Sequence, residues 1–363
     1  MTRAVSIVIP TWNGVDLLKR FMPSVLYAAR SYARQSHSQT EIVVVDDGSS
    51  DGTAEWLRGE GFDEDRTARS AAGELALRFL RSATNRGFGE ACNQGVESAR
   101  HELVFLLNND AEPAADAIAP LVENFDDDTL FAAHCRVFDL SNTRECGTGK
   151  VGAFARGFIR VHRSYVPAGR CAETAEASPK DGGPLFSMFA GGGSAMFDRR
   201  KFLELGGFEP LLSPFYWEDV ELSYRAWKRG YSIVYEPRSV VRHLVSSTIG
   251  KLNRRKVRTI EQRNRLVYHW IDLHDRPMLF SHAVWVLLLA VTAPLRLKPE
   301  FVSSCVAALK LLPQIRERRR EERLKARRTD REVLSVFSRL VRRPDLLVYD
   351  HYAELPSEHD NKA

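Results

Sequence analysis

The sequence predicts an α/β protein with a mainly parallel central sheet flanked by helices and a C-terminal helical extension. Three observations carry this. Short β-branched runs alternate with helical segments through the first third, carboxylate-bearing turns follow those runs, and the last third is charged and helix-patterned. With 363 residues, 44% of them hydrophobic, the chain can bury a sizeable core, and disorder is not the expected state.

Residues 5–9 and 41–45 are the first β-branched runs. Between them, residues 16–34 carry Leu17, Leu18, Phe21, Val25 and Leu26 at helical spacing, so a strand, a helix and a strand open a parallel sheet. The pattern repeats with a short helix over 53–58, introduced by the cap-forming Ser49, Ser50 and Asp51. A strand over 75–80, a helix over 89–99 and a strand over 103–107 follow.

Residues 147–184 are rich in Gly, Ala, Ser and Pro without a sustained period, which predicts an irregular acceptor-side segment. Residues 201–205 and 219–229 read as helices on either side of a turn-rich stretch, and 232–235 as a late strand. The catalytic unit is expected to span residues 1–250, with 251–363 as a basic helical extension.

In the extension, residues 259–270 read as a helix and 278–297 are largely apolar. A bilayer-spanning helix needs roughly 20 apolar residues, and His282, Pro294 and Arg296 interrupt this stretch. A second apolar stretch, 301–312, runs directly into a basic segment containing Arg318, Arg319, Arg320, Arg327 and Arg328, where much of the formal net charge of +5 resides. An apolar stretch with a polybasic flank suits an anionic membrane surface. Aromatic residues are not interleaved through the basic segment as a nucleic-acid stacking surface would need, so nucleic acid is not an expected partner.

The five cysteines are odd in number and lack C-x-x-C spacing, which indicates neither a disulfide framework nor a zinc site and fits a reducing compartment. The first apolar run is too short for a signal peptide. The expected location is the cytoplasmic side of the inner (plasma) membrane, peripheral or weakly anchored.

The chemistry-bearing residues lie in the turns. Pro10, Thr11, Asn13 and Gly14 follow the first strand, where open parallel sheets place ligands. Asp46 and Asp47 end the second strand, where one carboxylate could accept the imide N–H of a pyrimidine base; an Asp-rich helix cap is the bland alternative. Arg86 and Asn93 open a helix whose amides could face phosphate.

Asn108, Asn109 and Asp110 end the fourth strand as hard oxygen ligands suited to Mg²⁺ or Mn²⁺ and a diphosphate, with Asp110 the first metal ligand and His243 the candidate second. Glu218 and Asp219 stand at a helix start behind Trp217, whose ring could floor a sugar pocket, and a carboxylate there could deprotonate an acceptor hydroxyl. Helix macrodipoles favour such acids without any catalytic role. Gly192 and Gly193 form a turn that allows close approach of an acceptor or donor.

In their joint order, spanning roughly residues 4–245, these motifs resemble the family 2 glycosyltransferases of the GT-A fold. The resemblance implies a nucleotide-diphosphate sugar donor bound by Thr11, by Asp46 or Asp47, and by Arg86. It also implies a divalent cation on Asp110, Asp219 as base, and inversion at the anomeric carbon. Within the family, the Asn-Asn-Asp segment, the Trp-Glu-Asp segment and His243 resemble rhamnosyl- and galactofuranosyltransferases of cell-surface polysaccharide assembly. Deoxythymidine-diphosphate rhamnose is the preferred donor and a glycan or lipid-linked molecule the acceptor.

The Q-x-x-R-W signature of processive synthases is absent from residues 242–276, which implies single addition. A sugar nucleotidyltransferase would carry a Gly-rich basic loop where Pro10 to Asn13 stand, and a non-catalytic membrane scaffold would have no need of Asp110, Asp219 and His243 together.

Overall fold

The computed structural model describes residues 3–64, 75–141, 145–168, 183–244, 253–293 and 300–350. The expected opening elements are present: β1 (Val5–Thr11), α1 (Val15–Ser36), β2 (Thr40–Asp46), α2 (Thr53–Gly59), β3 (Leu75–Arg81), α3 (Phe88–Ser98) and β4 (Leu103–Leu107). They are followed by β5 (Ala111–Pro113), α4 (Ile118–Glu123), β6 (Leu130–Asp139), β7 (Glu145–Gly147), β8 (Gly149–Ala155) and β9 (Phe158–Pro167). Then come β10 (Ser194–Asp198), α5 (Arg199–Leu205), α6 (Glu218–Lys228) and β11 (Ser232–His243).

The main sheet has the order β3-β2-β1-β4-β10-β6-β11-β5, with β7 paired to β6. Its first four strands are parallel, β10 runs antiparallel between β4 and β6, and β11 is parallel to β6. Every residue of β1, β2 and β4 is buried, as expected of strands covered on both faces. One apolar layer holds α1 and α2 against the sheet, and the other holds α3, α5 and α6. β1 runs two residues beyond its expected end and takes in Pro10. That residue lies past the last β1–β4 pair, Val8 with Leu106, so its missing N–H breaks no ladder on that side.

The irregular segment expected over 147–184 is corrected. β8 and β9 form a hairpin whose turn residues Arg156 and Gly157 both have positive φ, 51° and 75°, as a tight hairpin turn demands. The glycines that suggested flexibility make room instead: a Cβ on Gly149 would lie 2.2 Å from the Tyr165 ring, and one on Gly152 would lie 2.5 Å from Met188 Sδ. Residues 169–182 of that segment lie outside the described residues.

The extension comprises α7 (Arg254–Asp272), α8 (Arg276–Thr292), α9 (Glu300–Lys310), α10 (Leu312–Lys325), α11 (Asp330–Leu340) and β12 (Leu346–Asp350). It is built onto the preceding unit. β12 extends the β8–β9 hairpin into a three-stranded sheet. Asp330, fully buried, accepts hydrogen bonds from Lys228 Nζ at 2.8 Å and Tyr224 Oη at 2.6 Å across to α6. The boundary expected at residue 250 lies outside the described residues.

Among the described residues, no helix is long and apolar enough to cross a membrane. His282, which interrupted the apolar stretch in the sequence, fastens α8 to the domain: its Nδ1 lies 2.7 Å from the Gly157 carbonyl and its Nε2 accepts from Trp270 Nε1 at 3.1 Å. The outer residues Phe280, Val284, Leu287, Leu288 and Val291 are exposed, as are Val302, Val306 and Leu309 of the adjoining α9.

Candidate active site

The carboxyl ends of β1, β2 and β4 lie side by side, and their following turns are sewn together. Asn109 Nδ2 donates to Thr11 Oγ1 at 2.8 Å, and Asn13 Oδ1 accepts from the Ser50 amide at 2.9 Å while its own amide donates to Ser49 Oγ at 2.8 Å. Thr11 and Asn109 therefore hold each other, and Asn13 holds the turn after β2. Gly14 is required there, because a Cβ would lie 2.4 Å from Asn109 Nδ2 and 2.5 Å from Thr11 Oγ1.

The two adjacent aspartates differ. Asp47 accepts the amides of Arg86 at 3.0 Å and Gly87 at 2.8 Å, so its carboxylate is committed to the loop before α3. Asp46 accepts the Ser49 amide through Oδ1 at 2.9 Å. Its buried Oδ2, 3.7 Å from Arg81 Nε, makes no hydrogen bond. A buried carboxylate oxygen left in this condition is the one with capacity for a ligand donor. Asn93 is likewise committed, with Nδ2 donating to the Phe208 carbonyl at 2.9 Å and Oδ1 accepting the Phe208 amide at 2.8 Å. The exposed Arg86 side chain pairs with Glu90 on the first turn of α3.

Beyond β4, the pairing of β11 with β5 sets His243 opposite Ala111 and brings its Nε2 to 2.8 Å from Asp110 Oδ1. Asn108 Nδ2 lies 3.1 Å from the same Nε2. Protonated at Nε2, the imidazole donates to Asp110; protonated at Nδ1, it presents the Nε2 lone pair beside the carboxylate, and the two can share a cation. One hard oxygen and one imidazole nitrogen suit Mn²⁺ or Mg²⁺ completed by ligand oxygens. Among the described residues there is no cluster of three or more His, Cys, Asp or Glu that could hold a metal unaided.

The Gly191–Gly193 turn joins this corner to the acid on α6. The Gly193 carbonyl accepts the Asn108 amide at 3.0 Å, and a Cβ on Gly193 would lie 2.3 Å from the Asn108 side chain. Gly192 sends its amide to the Asp219 carboxylate, which also accepts its neighbour Val220's N–H at 2.8 Å. The expected loose turn is thus a fixed spacer, and it feeds directly into β10 in the middle of the sheet.

Asp219, His243, Trp217, Gly191 and Ser194 line one open cleft of about 700 Å³. Burial pushes the Asp219 carboxyl up to about 6, against the pull of the Val220 and Gly192 amides and of Lys150. Glu218 lines a second, smaller cavity of about 200 Å³, shared with Arg86, Glu90 and Phe208. Burial and then the neighbouring Asp219 push it up to about 8, and its Oε2 is buried without a hydrogen-bond partner. The two candidate catalytic acids are divided between cavities.

Ahead of them, Tyr216 and Trp217 both have positive φ, 71° and 76°. Two consecutive non-glycine residues in this region store roughly 1–3 kcal/mol of strain each. The fully buried Asn264 of α7 holds the segment, its Nδ2 donating to the carbonyls of Leu212, Phe215 and Tyr216, the last two at 2.9 and 3.0 Å.

Asn264, Arg265 and Lys150 line or brace the cleft and were not singled out from the sequence. Asn264 had a signal, a polar residue on the helix stripe of Ile260, Val267, Tyr268 and Ile271. Gln262 and Arg265 also keep the first and fourth positions of Q-x-x-R-W, with Leu266 in place of tryptophan. Lys150 had none, because it sits in the stretch expected to be irregular.

A mostly parallel central sheet flanked by helices, with its strand-end turns gathered beside one open cleft, is the GT-A fold. Family comparison agrees: residues 6–172 match "Glycosyl transferase family 2" and residues 103–315 match "Glycosyl transferase family group 2". The chain belongs to the family 2 glycosyltransferases.

It is 25% identical over 256 residues to poly-beta-1,6-N-acetyl-D-glucosamine synthase of Staphylococcus aureus strain MSSA476, covering 70% of this chain and 53% of that protein. The Staphylococcus epidermidis synthase is 23% identical over 254 residues, with the same coverage. The chain thus spans about half the length of the curated relatives it matches.

Among solved structures, GalNAc-T7 with UDP, GalNAc and Mn²⁺ superposes with a TM-score of 0.60 at 19% identity, covering 95% of this chain and 58% of that one. The mannosyltransferase PcManGT from Pyrobaculum calidifontis, in complex with GDP-Man and Mn²⁺, gives a TM-score of 0.51 at 21% identity, covering 94% and 86%. These two likenesses bear on the fold.

Proposed function

We propose that the protein transfers a sugar, with inversion, from a nucleotide-diphosphate donor to a hydroxyl of a glycan or lipid-linked acceptor in cell-envelope polysaccharide synthesis. The observation that carries this reading is the cleft with Asp219 on one wall and His243, in contact with Asp110, on another. Asp46 Oδ2 accepts from the base, and the turns holding Thr11, Asn13, Asn108 and Asn109 cradle the donor. Glu218 and Arg86 stand together at the smaller cavity, which supports a donor-side role for Glu218 with the acceptor proton taken by Asp219.

A divalent cation held by Asp110 and His243 would neutralise charge on the leaving diphosphate. Asp219 takes the acceptor hydroxyl proton as the oxygen attacks the anomeric carbon and the sugar–phosphate bond breaks on the opposite face. One displacement needs one base and no covalent nucleophile. Trp217 floors the acceptor sugar beside Asp219.

The preferred donor is deoxythymidine-diphosphate rhamnose, on the resemblance of the Asn-Asn-Asp, Trp-Glu-Asp and His243 segments; a uridine-diphosphate sugar such as the galactofuranose is the alternative. Single addition rather than polymerisation is proposed from the absent tryptophan of Q-x-x-R-W, although the curated relatives named above are polymer synthases.

The exposed apolar faces of α8 and α9, with the arginines of α10 following, support peripheral docking on an anionic membrane at the cytoplasmic face. Vesicle sedimentation tests it. Binding to phosphatidylglycerol vesicles should be lost in a Phe280→Ser, Leu287→Ser, Val291→Ser variant, and binding that survives these changes rules out this face.

The deciding experiment for the enzyme is Mn²⁺- or Mg²⁺-dependent release of nucleoside diphosphate across deoxythymidine- and uridine-linked sugars. Release from one donor, lost in Asp110→Ala, names the sugar. Absence of both release and donor binding returns the protein to a scaffold role.

A further inference from the structure

Helix α7 opens with charges of the unfavourable sign. Its first two turns carry Arg254, Arg255, Lys256 and Arg258, with no acidic residue in the first turn, although cations at a helix N-terminus oppose the macrodipole. All four are exposed, and among the described residues Arg254, Arg255 and Lys256 form no ion pair. Arg258 comes within 4.0 Å of Glu300 on α9 with its side chain 67% exposed, a pairing that water screens. Asn253 Oδ1 already accepts the amides of Arg255 at 3.0 Å and Lys256 at 3.2 Å, so an anion here is met by side chains rather than by the helix end.

These cations border an apolar surface. Ser304 Oγ of α9 donates to the Thr259 carbonyl of α7 at 3.0 Å, and α9 packs in turn on α8. Val302, Val306 and Leu309 of α9 recur at helical spacing, as do Phe280, Val284, Leu287 and Val291 of α8, so each helix turns one apolar side outward. The basic segment of α10 is partly spent inside the protein. Arg318 donates to Glu209 at 2.8 Å, Arg319 donates to the Trp270 carbonyl at 2.9 Å, and Glu317, Glu321 and Glu322 stand among the arginines.

Arg254, Arg258, Glu261 and Arg265 follow one another at i, i+4, i+7 and i+11 along one side of α7, and the last two line the cleft. The charged border therefore runs into the cleft mouth.

We propose that the first turns of α7 are the electrostatic contact with an anionic lipid surface, and that they set the mouth of the cleft at the headgroups, where a membrane-held acceptor enters. An apolar side with a cationic border suits shallow insertion among acyl chains with attraction to anionic headgroups. The entry of the acceptor rests on the transferase reading above, whereas the docking stands without it.

The test is sedimentation of the full chain with phosphatidylglycerol vesicles. An Arg254→Gln, Arg255→Gln, Lys256→Gln, Arg258→Gln variant should bind at least about tenfold more weakly than wild type. An Arg316→Gln, Arg320→Gln, Arg323→Gln variant of α10 should lose less. Raised salt should release the wild type, and phosphatidylcholine vesicles should not separate it from the α7 variant. Melting curves report folding of each variant. Phosphatidylglycerol vesicles should also shield Lys256 from amine acetylation read by mass spectrometry, and should leave Lys19, exposed on α1 across the sheet, open to it.

Equal vesicle binding by wild type and the α7 variant overturns the proposal, as does a larger loss in the α10 variant or an unshielded Lys256. Wild-type protein that binds no vesicle overturns it too, and self-association lost on Phe280→Ser, Leu287→Ser, Val291→Ser substitution would then give the face to a second copy. Wild-type protein that docks as described but neither binds UDP nor releases it from any donor would sink the transferase reading and leave the docking standing.

Discussion

Asn264 of α7 donates to the Tyr216 carbonyl at 3.0 Å and so ties a helix beyond residue 250 to the strained backbone just before Glu218 and Asp219. Asn264→Asp keeps the size and removes the donors, leaving buried carbonyls unsatisfied at roughly 1–3 kcal/mol each. The expected result is a lower melting temperature and at least a tenfold fall in kcat, with donor affinity nearly unchanged. Wild-type kcat in a folded Asn264→Asp protein would refute the positioning role.

Asp219→Asn preserves shape and removes the base. Turnover should fall by about 10²–10⁴-fold while donor binding stays within a few-fold. In the wild type, kcat should rise with pH through about 6, because the carboxylate that burial holds at that value must be ionised to accept the acceptor proton. A profile flat from pH 5 to 8 would exclude Asp219 as the titrating base.

Glu218 makes a thermal prediction of opposite character. A carboxyl raised in the folded state to about 8 binds its proton more tightly there than when unfolded. Its contribution to stability is therefore present at low pH and is lost as pH rises from the ordinary carboxylate range toward 8. Glu218→Gln mimics the neutral acid and should melt higher than wild type at pH 8, with the gain vanishing near pH 5. Equal melting temperatures at both pH values would contradict this.

The Asp110–His243 corner predicts a metal-affinity effect. His243→Ala should raise the Mn²⁺ concentration for half-maximal donor turnover at least tenfold while leaving metal-free nucleotide binding intact. Chelation should abolish turnover reversibly. Turnover that persists in excess chelator would remove the metal from the proposal.

Gly193→Ala should separate geometry from chemistry. The added Cβ would press to 2.3 Å on the Asn108 side chain, which touches His243, so both metal dependence and kcat should suffer although no reacting group is changed. A variant with wild-type Mn²⁺ dependence would show that the turn has room to give.

The alternation of strands and helices through β4, and the places of Asp46 and Asp110 at strand ends, were legible in the sequence, because apolar periodicity is a local property. Sequence proximity alone could not divide labour between neighbours. Asp46 and Asp47 differ because the loop before α3 brings two amides to only one of them, and Glu218 and Asp219 differ because successive residues at a helix start face different cavities.

The β8–β9 hairpin was hidden because its glycines record contacts with Tyr165 and Met188 rather than a local turn preference. The apolar run of α8 could not disclose that His282 fastens one side to the Gly157 carbonyl while the other side stays exposed. The sequence by itself determined the class of fold and the strand ends at which the proposed site residues stand. Only tertiary structure decided which of those side chains are committed to backbone amides and which face the cleft, because hydrogen-bond partners and burial depend on contacts between residues far apart in the chain.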